Sequence, residues 1–381
     1  MVSVQQMTKE RWVNVTIADV ARRANVGAGT VSRVLNGSKN VSRETREKVE
    51  ACIRELGYMP NLVARGLAAN RTGMISAIIP AIGYTQHAEV MQGLGDVLHE
   101  NGIQIMIGHC GYSPEREEQI VANFLERRPD AFYLTGGWHT PQTRQLLQAS
   151  GLPVVEGANL FDDPIDSVVG YDNFEAGRQI AHLLYSRGHR RMAIVTSSRD
   201  PNDRIADRLR GYLAAVRELE IDMDELVFSC ENSFLGGAEA VDRATGLSNP
   251  VDLLLCSTDV MAVGAVFQCH RRGLSVPGQL AICGFDDLPI ARSLTPALTT
   301  VSVDRVEMGR RAGQLLLQRI AGETAPHKRI DVGFVICERE STYAPVGGTE
   351  VGEPFTPMNG EFHRTEAGDR QTVRMLEEPR D

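Results

Sequence analysis

At 381 residues, 42% hydrophobic and 23% charged, the chain is too long for one small core. It has the make-up of an ordinary globular protein of two or three folding units. No apolar run approaches the roughly 20 residues of a membrane span, and the start MVSVQQMTKERW lacks the apolar centre of a secretory signal, so a cytoplasmic protein with no membrane partner is expected.

Seven scattered cysteines without a C-x-x-C pair speak against a disulfide framework and against a metal site. Charge divides unevenly. The first 72 residues hold 12 Lys+Arg against 6 Asp+Glu, so they carry +6 of a total of −9 and the remainder carries −15. A basic head on an acidic body places the phosphate-facing surface at one end.

Residues 1–15 are polar and expected to be disordered. Thr16 can then cap a helix, with Asp19 closing a capping box. Ile17, Val20, Ala21 and Ala24 recur at i, i+3, i+4 and i+7, the stripe of a short amphipathic helix. Asn25-Val26-Gly27 interrupts it, a second short helix carries residues 30–35, and Asn36-Gly37 ends that helix. Two short helices joined by a tight turn make a helix-turn-helix, whose second helix suits the major groove of DNA. A small helical bundle with no nucleic-acid role has the same pattern. Ser42 opens a third helix, with Val49, Cys52, Ile53 and Leu56 on its buried face and Gly57 past its end. The head spans 16–58 and a hinge helix or linker spans 59–72, where Asn61 can cap about two turns that are marginal alone.

The segment YMPNLVARGL at 58–67 resembles the hinge of the lac repressor family of bacterial transcription regulators. The resemblance runs back through Thr16, Asp19-Val20-Ala21, Gly27, the run from Thr30 to Asn36, and Val41-Ser42. It implies a nucleoid-associated homodimer on near-palindromic double-stranded operator DNA. Arg33 stands where the family places a base-contacting arginine, and a guanidinium can pair bidentately with guanine. Thr30 and Ser32 suit phosphate contacts, which position without specifying, and Thr16 and Asn36 join them. Ala28 and Gly29 replace the larger base readers usual in the family, so direct readout there is thin. Leu67 matches the leucine wedged into the minor groove, with Asn61, Ala64 and Arg65 around it.

After Gly73 the texture changes to short apolar runs alternating with amphipathic helices. Strands are expected over 74–79, 103–107, 131–135 and 153–156, with helices over 89–101, 114–127 and 141–149 between them. A second set follows, with strands over 192–196, 226–229, 252–256 and 280–284 and helices over 174–187, 204–218, 237–245 and 260–272. Such alternation predicts an α/β body of two lobes with parallel sheets. No G-x-G-x-x-G or phosphate-loop motif is present, so no cofactor is expected. The family resemblance implies a body similar to periplasmic sugar-binding proteins over 73–346, with crossings between lobes near Tyr171, Val303 and Asp331. Residues 347–381 read as a disordered tail without a leucine heptad, which favours a dimer over a tetramer.

Ligands in open α/β sheets bind beyond the carboxyl ends of strands. By resemblance, Arg208 in RLRGY and Asp286 in GFDD match the family's effector-binding arginine and aspartate. Thr258 stands where Asn is common, and Glu156 where an acid often meets ligand hydroxyls. Gln86, His87 and Asn232 replace aromatic residues, and Thr135 and His139 are counted with them. An Asp/Arg pair in a cleft can equally be structural. Fewer aromatics and more basic groups suit a small hydroxyl-rich anion, because arginine fits a carboxylate. GHCGYSPEREEQI, TGGWHTPQT, VGYDNFEAGRQ and DVGF resemble the gluconate-utilisation repressors within the family. Gluconate or a related sugar acid is the expected effector; a neutral or phosphorylated sugar or a keto acid stays open. A sugar-acid enzyme with an accessory DNA-binding head is the distant alternative, and no recognisable catalytic spacing supports it.

Overall fold

The computed structural model describes residues 15–35, 37–38, 40–59, 71–197, 202–221, 226–323 and 328–343. The expectations for residues 1–14, for the tail, and for Asn36, Asn61, Ala64, Arg65 and Leu67 lie outside the described residues.

The head comprises α1 (Ile17–Ala24), α2 (Ala28–Leu35) and α3 (Arg43–Leu56). Local chemistry sets each boundary. Thr16 and Asp19 form the reciprocal capping box, and Asn25 ends α1 in the left-handed conformation at φ 52°. Ser42 caps α3, and Gly57 terminates it at φ 62°. The three helices meet over Val20, Ala24, Val31, Val34 and Val49, all buried.

The body is built on two parallel sheets. In the first lobe, β1 (Met74–Ile79), β2 (Gln104–His109), β3 (Ala131–Thr135), β4 (Val154–Gly157) and β5 (Ser167–Gly170) are joined by β11 (Arg329–Asp331). Their order is β11-β5-β4-β3-β1-β2. One face carries α4 (Thr85–Glu100) and α12 (Arg305–Ile320), the other α5 (Pro114–Leu125) and α6 (Pro141–Ser150). In the second lobe, β6 (Met192–Thr196), β7 (Val227–Ser229), β8 (Leu253–Cys256) and β9 (Ala281–Cys283) take the order β7-β6-β8-β9. Helices α7 (Asn173–Ser186) and α8 (Asp203–Glu218) cover one face, and α9 (Phe234–Thr245) and α10 (Asp259–Arg272) the other. The inner strands are near-continuous buried runs, LLLC of β8 and AFYLT of β3 among them, as sheets covered on both faces require, while the edge strands β2, β7 and β11 are partly exposed.

The structure adds elements that alternation does not reveal. β5, the short helix α11 (Pro289–Ser293), β10 (Thr300–Ser302), β12 (Val335–Cys337) and the sixteen-residue α12 are absent from the sequence expectation. β10 and β12 pair antiparallel, so the sheets are not all parallel. The buried face of α12 includes Gly309, Ala312 and Gly313, which blunts its apolar stripe. Helix α4 begins at Thr85, four residues before the expected start, because Tyr84 supplies no side-chain cap to mark it. The chain passes between the two lobes after β5, after β10 and after β11.

Paired helices approach through glycines. A Cβ on Gly93 of α4 would lie 1.9 Å from the Val306 carbonyl oxygen of α12, and one on Gly211 of α8 would lie 2.0 Å from that of Phe174 in α7. Gly237 of α9 meets the Met261 carbonyl of α10 in the same way. Among the described residues no helix is long and apolar enough to cross a membrane.

Candidate functional site

Two surfaces carry chemistry: the outer face of α2 and the cleft between the lobes. In α2, Val31 and Val34 turn into the head's core while Ala28, Gly29 and Arg33 face outward, with Thr30 and Ser32 half-buried. Val at i and i+3 inside leaves Arg33 on the outer side of the same short helix. The Thr16 hydroxyl donates to Asp19 Oδ2 at 2.6 Å, and Arg46 Nη2 donates to the Ser38 carbonyl at 2.6 Å, tying α3 to the turn after α2. Arg33→Ala is expected to weaken binding to a selected operator by about 10- to 100-fold, leaving binding to unrelated duplex nearly unchanged. Mobility shifts on both duplexes measure this, and equal weakening on both would reduce Arg33 to a phosphate contact.

The cleft has a volume of about 620 Å³, part of it open to solvent, and lies beyond the C-terminal ends of β1, β3, β8 and β9. The first lobe contributes Gln86, His87 and Thr135, and the second Arg208, Asn232, Thr258 and Asp286. The first turn of α4 aims Gln86 and His87 at it. Thr258 caps α10 and donates to Asn232 Oδ1 at 2.7 Å.

Arg208 is buried at the floor of the cleft. Its Nε donates to Asn173 Oδ1 (2.9 Å), Nη1 to the Ser257 carbonyl (2.9 Å) and Nη2 to the Tyr171 hydroxyl (2.6 Å). The guanidinium also stacks 3.7 Å over the Phe285 ring and reaches Asp286 at 3.5 Å. Asp286 holds φ at 120°, a costly conformation for a non-glycine residue. Its N–H donates to the Val301 carbonyl, and its own carbonyl accepts from Arg305 Nη1 at 2.6 Å, which fixes it there. Burial raises the Asp286 carboxyl above its ordinary value, and Arg208 and Arg305 only partly draw it back.

Two expected site residues lie elsewhere. His139 and Glu156 do not line the cleft. His139 is enclosed between Glu117 Oε1 (Nδ1, 2.5 Å) and Glu156 Oε1 (Nε2, 3.1 Å). Glu156 spends its other oxygen on the Ile165 N–H at 2.6 Å. Both side chains are buried struts, because the loop before β5 folds back over the end of β4.

The cleft also holds residues that sequence reasoning misses as contacts: Tyr112, Tyr171, Arg204 and Arg305. Arg204 precedes Arg208 by one turn on α8, a spacing that shares a helix face and could have revealed it. Arg305 begins the unrecognised α12. Each cleft arginine has a carboxylate partner: Arg204 with Asp203 at 2.8 Å, Arg208 with Asp286, and Arg305 with Glu89 at 2.6 Å. Burial, helped by Arg204 and Arg305, pushes His87 down to about 3, so its ring is neutral near pH 7.

The head matches the model for bacterial regulatory proteins of the lacI family over residues 16–61, and residues 181–342 match a periplasmic binding protein-like domain. The HTH-type transcriptional regulator GntR of Escherichia coli K12 is 34% identical over 330 residues, covering 87% of this chain and 98% of that protein. GntR of Pseudomonas aeruginosa is 33% identical, covering 86% and 95%. A transcriptional regulator structure from Silicibacter pomeroyi superposes with a TM-score of 0.79 at 29% identity, covering 87% and 100%. The chain belongs to the lacI family of DNA-binding bacterial transcriptional regulators.

Proposed function

We propose that the chain is a homodimeric repressor that holds a near-palindromic operator and releases it when a sugar acid, gluconate or a close relative, occupies the interlobe cleft. The observation that carries this reading is the cleft itself: Gln86, His87, Asn232 and Thr258 stand among tyrosines and apolar side chains around three guanidiniums. Hydroxyls of an aldonate suit the polar groups, and its carboxylate suits a guanidinium that keeps donors free. The sequence's resemblance to gluconate-utilisation repressors points the same way. Because each arginine already has a carboxylate partner, the cleft suits a single negative charge better than a phosphorylated acid, which would bring further unbalanced charge into a partly desolvated site.

A catalytic role is disfavoured by the same geometry. With its pKa pushed down to about 3, His87 is a poor acid or base near neutral pH, and Asp286 is committed to its arginine. Dimerisation is supported by apolar side chains left outside the body's cores: Phe234 and Leu235 of α9 are 51% and 74% exposed and Phe267 of neighbouring α10 is 41% exposed.

A ligand shifts an equilibrium only through unequal affinity for two arrangements. Here that difference arises because both lobes supply contacts, so a filled cleft favours closure. In a mobility shift with a selected operator, gluconate is expected to release the protein. Operator affinity unchanged across a panel of aldonates and sugars would refute the proposal.

A further inference from the structure

We infer that Arg204, and not Arg208, is the residue that selects an acid over its uncharged analogue. The inference deepens the sugar-acid reading of the cleft and rests on it. Arg208 has committed Nε and both terminal nitrogens to Asn173, the Ser257 carbonyl, Tyr171 and Asp286, and its ring-facing surface covers Phe285. Such a guanidinium holds the floor of the cleft together and has little left to give a carboxylate. Arg305 is similarly engaged, with Nε on Glu89 and Nη1 on the Asp286 carbonyl.

Arg204 differs. Its side chain is 9% exposed, and its Nη1 meets Asp203 Oδ1 at 2.8 Å. Among the described residues no other hydrogen-bond partner is recorded for it, and it lines the cleft. One edge of the fork is therefore anchored and the other is presented to the ligand space, the arrangement a bidentate carboxylate contact needs.

The anchor also crosses the cleft. Asp203 begins α8 in the second lobe, but its Oδ2 accepts from the Gly137 N–H at 2.9 Å and from Asn159 Nδ2 at 3.2 Å, both in the first lobe. Gly136, at φ 89°, lets that loop come close: a Cβ there would sit 2.5 Å from Arg204 Nη1. The orientation of Arg204 thus depends on the lobes being together. A carboxylate held by it is recognised in the closed arrangement and lost in the open one, which makes charge recognition and closure one event.

Calorimetric titration of the full chain with gluconate and with gluconamide, which has the same hydroxyls and no charge, tests this. The parent chain is expected to prefer gluconate by about 10- to 100-fold, the range of charge-assisted bonds. Arg204→Gln is expected to abolish that preference while changing gluconamide affinity little. In that variant Asp203 Oδ2 keeps its Gly137 and Asn159 donors and Oδ1 loses its cation, so a thermal melt of the variant accompanies the titration to separate a loss of fold from a loss of selectivity. Arg204→Lys is expected to restore part of the preference, and Arg208→Gln to weaken both ligands alike. If Arg204→Gln keeps the preference of the parent, the inference falls and the sugar-acid reading stands. If the parent itself fails to prefer the acid, that reading falls and this inference with it.

Discussion

Gly211→Ala is expected to destabilise the second lobe by about 2 kcal/mol and to weaken effector binding with it. Two effects oppose each other. Alanine in a helix interior gains about 1 kcal/mol over glycine. Against this, the added Cβ would lie 2.0 Å from the Phe174 carbonyl oxygen and 2.9 Å from the Arg178 nitrogen. Both obstacles are backbone, so no rotamer change relieves them, and overpacking of this kind costs about 3 kcal/mol. The steric term wins. Relief requires α7 and α8 to part, and the contact is reciprocal: a Cβ on Gly177 of α7 would lie 2.5 Å from the Arg208 carbonyl. Arg204 and Arg208 ride on the helix that must move, so the cleft is disturbed at its floor and its rim. Urea denaturation and a gluconate titration check the two arms. An unchanged unfolding midpoint would show that the helices have room which the geometry denies them.

How far the sequence reveals such features depends on whether the cause is local. The head is legible because its boundaries are set within three or four residues: Thr16 with Asp19, Ser42 with Thr45, Gly57 at its left-handed cap. Strands β1, β3 and β6 are equally plain, since a short fully apolar run has few other uses. Helix α12 is not, because its inner face relies on Gly309 and Gly313 where Val90 and Leu94 of α4 press in. Small residues chosen for a distant partner look like a polar helix in isolation.

The cleft shows the same division. Arg208 and Asp286 are found from motif position alone, and the structure places both at the floor. What each does there is not legible. Arg208 is consumed by Asn173, Ser257 and Tyr171, which lie 35, 49 and 37 residues away in the chain. Arg204 is oriented by an aspartate whose own donors come from the other lobe. Partners at such separations are set by topology, and no spacing rule anticipates them.

His139 shows the reverse error, and a pH dependence of stability follows from it. A histidine after a strand end resembles a ligand contact; here it is sealed between Glu117 and Glu156, its side chain 1% exposed and Glu156 fully buried. Burial alone would pull its pKa down, yet hydrogen bonds to the two glutamates outweigh that and push it up to about 9. The ring therefore stays an imidazolium at pH 7, donating from both nitrogens to two carboxylates. A folded-state pKa of about 9 against an ordinary 6.5 means that the folded protein binds the proton more tightly than the unfolded chain. The resulting stabilisation, about 3 kcal/mol, is complete below pH 6.5 and is lost as pH rises toward 9. His139→Ala removes the cation and leaves two carboxylates facing a cavity, a loss of about 3–5 kcal/mol where it is not relieved by proton uptake. The expected result is a variant markedly less stable than the parent at pH 6, with the gap narrowing steadily to pH 9. Denaturation midpoints measured across that window decide it. A gap that stays constant from pH 6 to 9 would mean that His139 is neutral in the fold and serves only as packing.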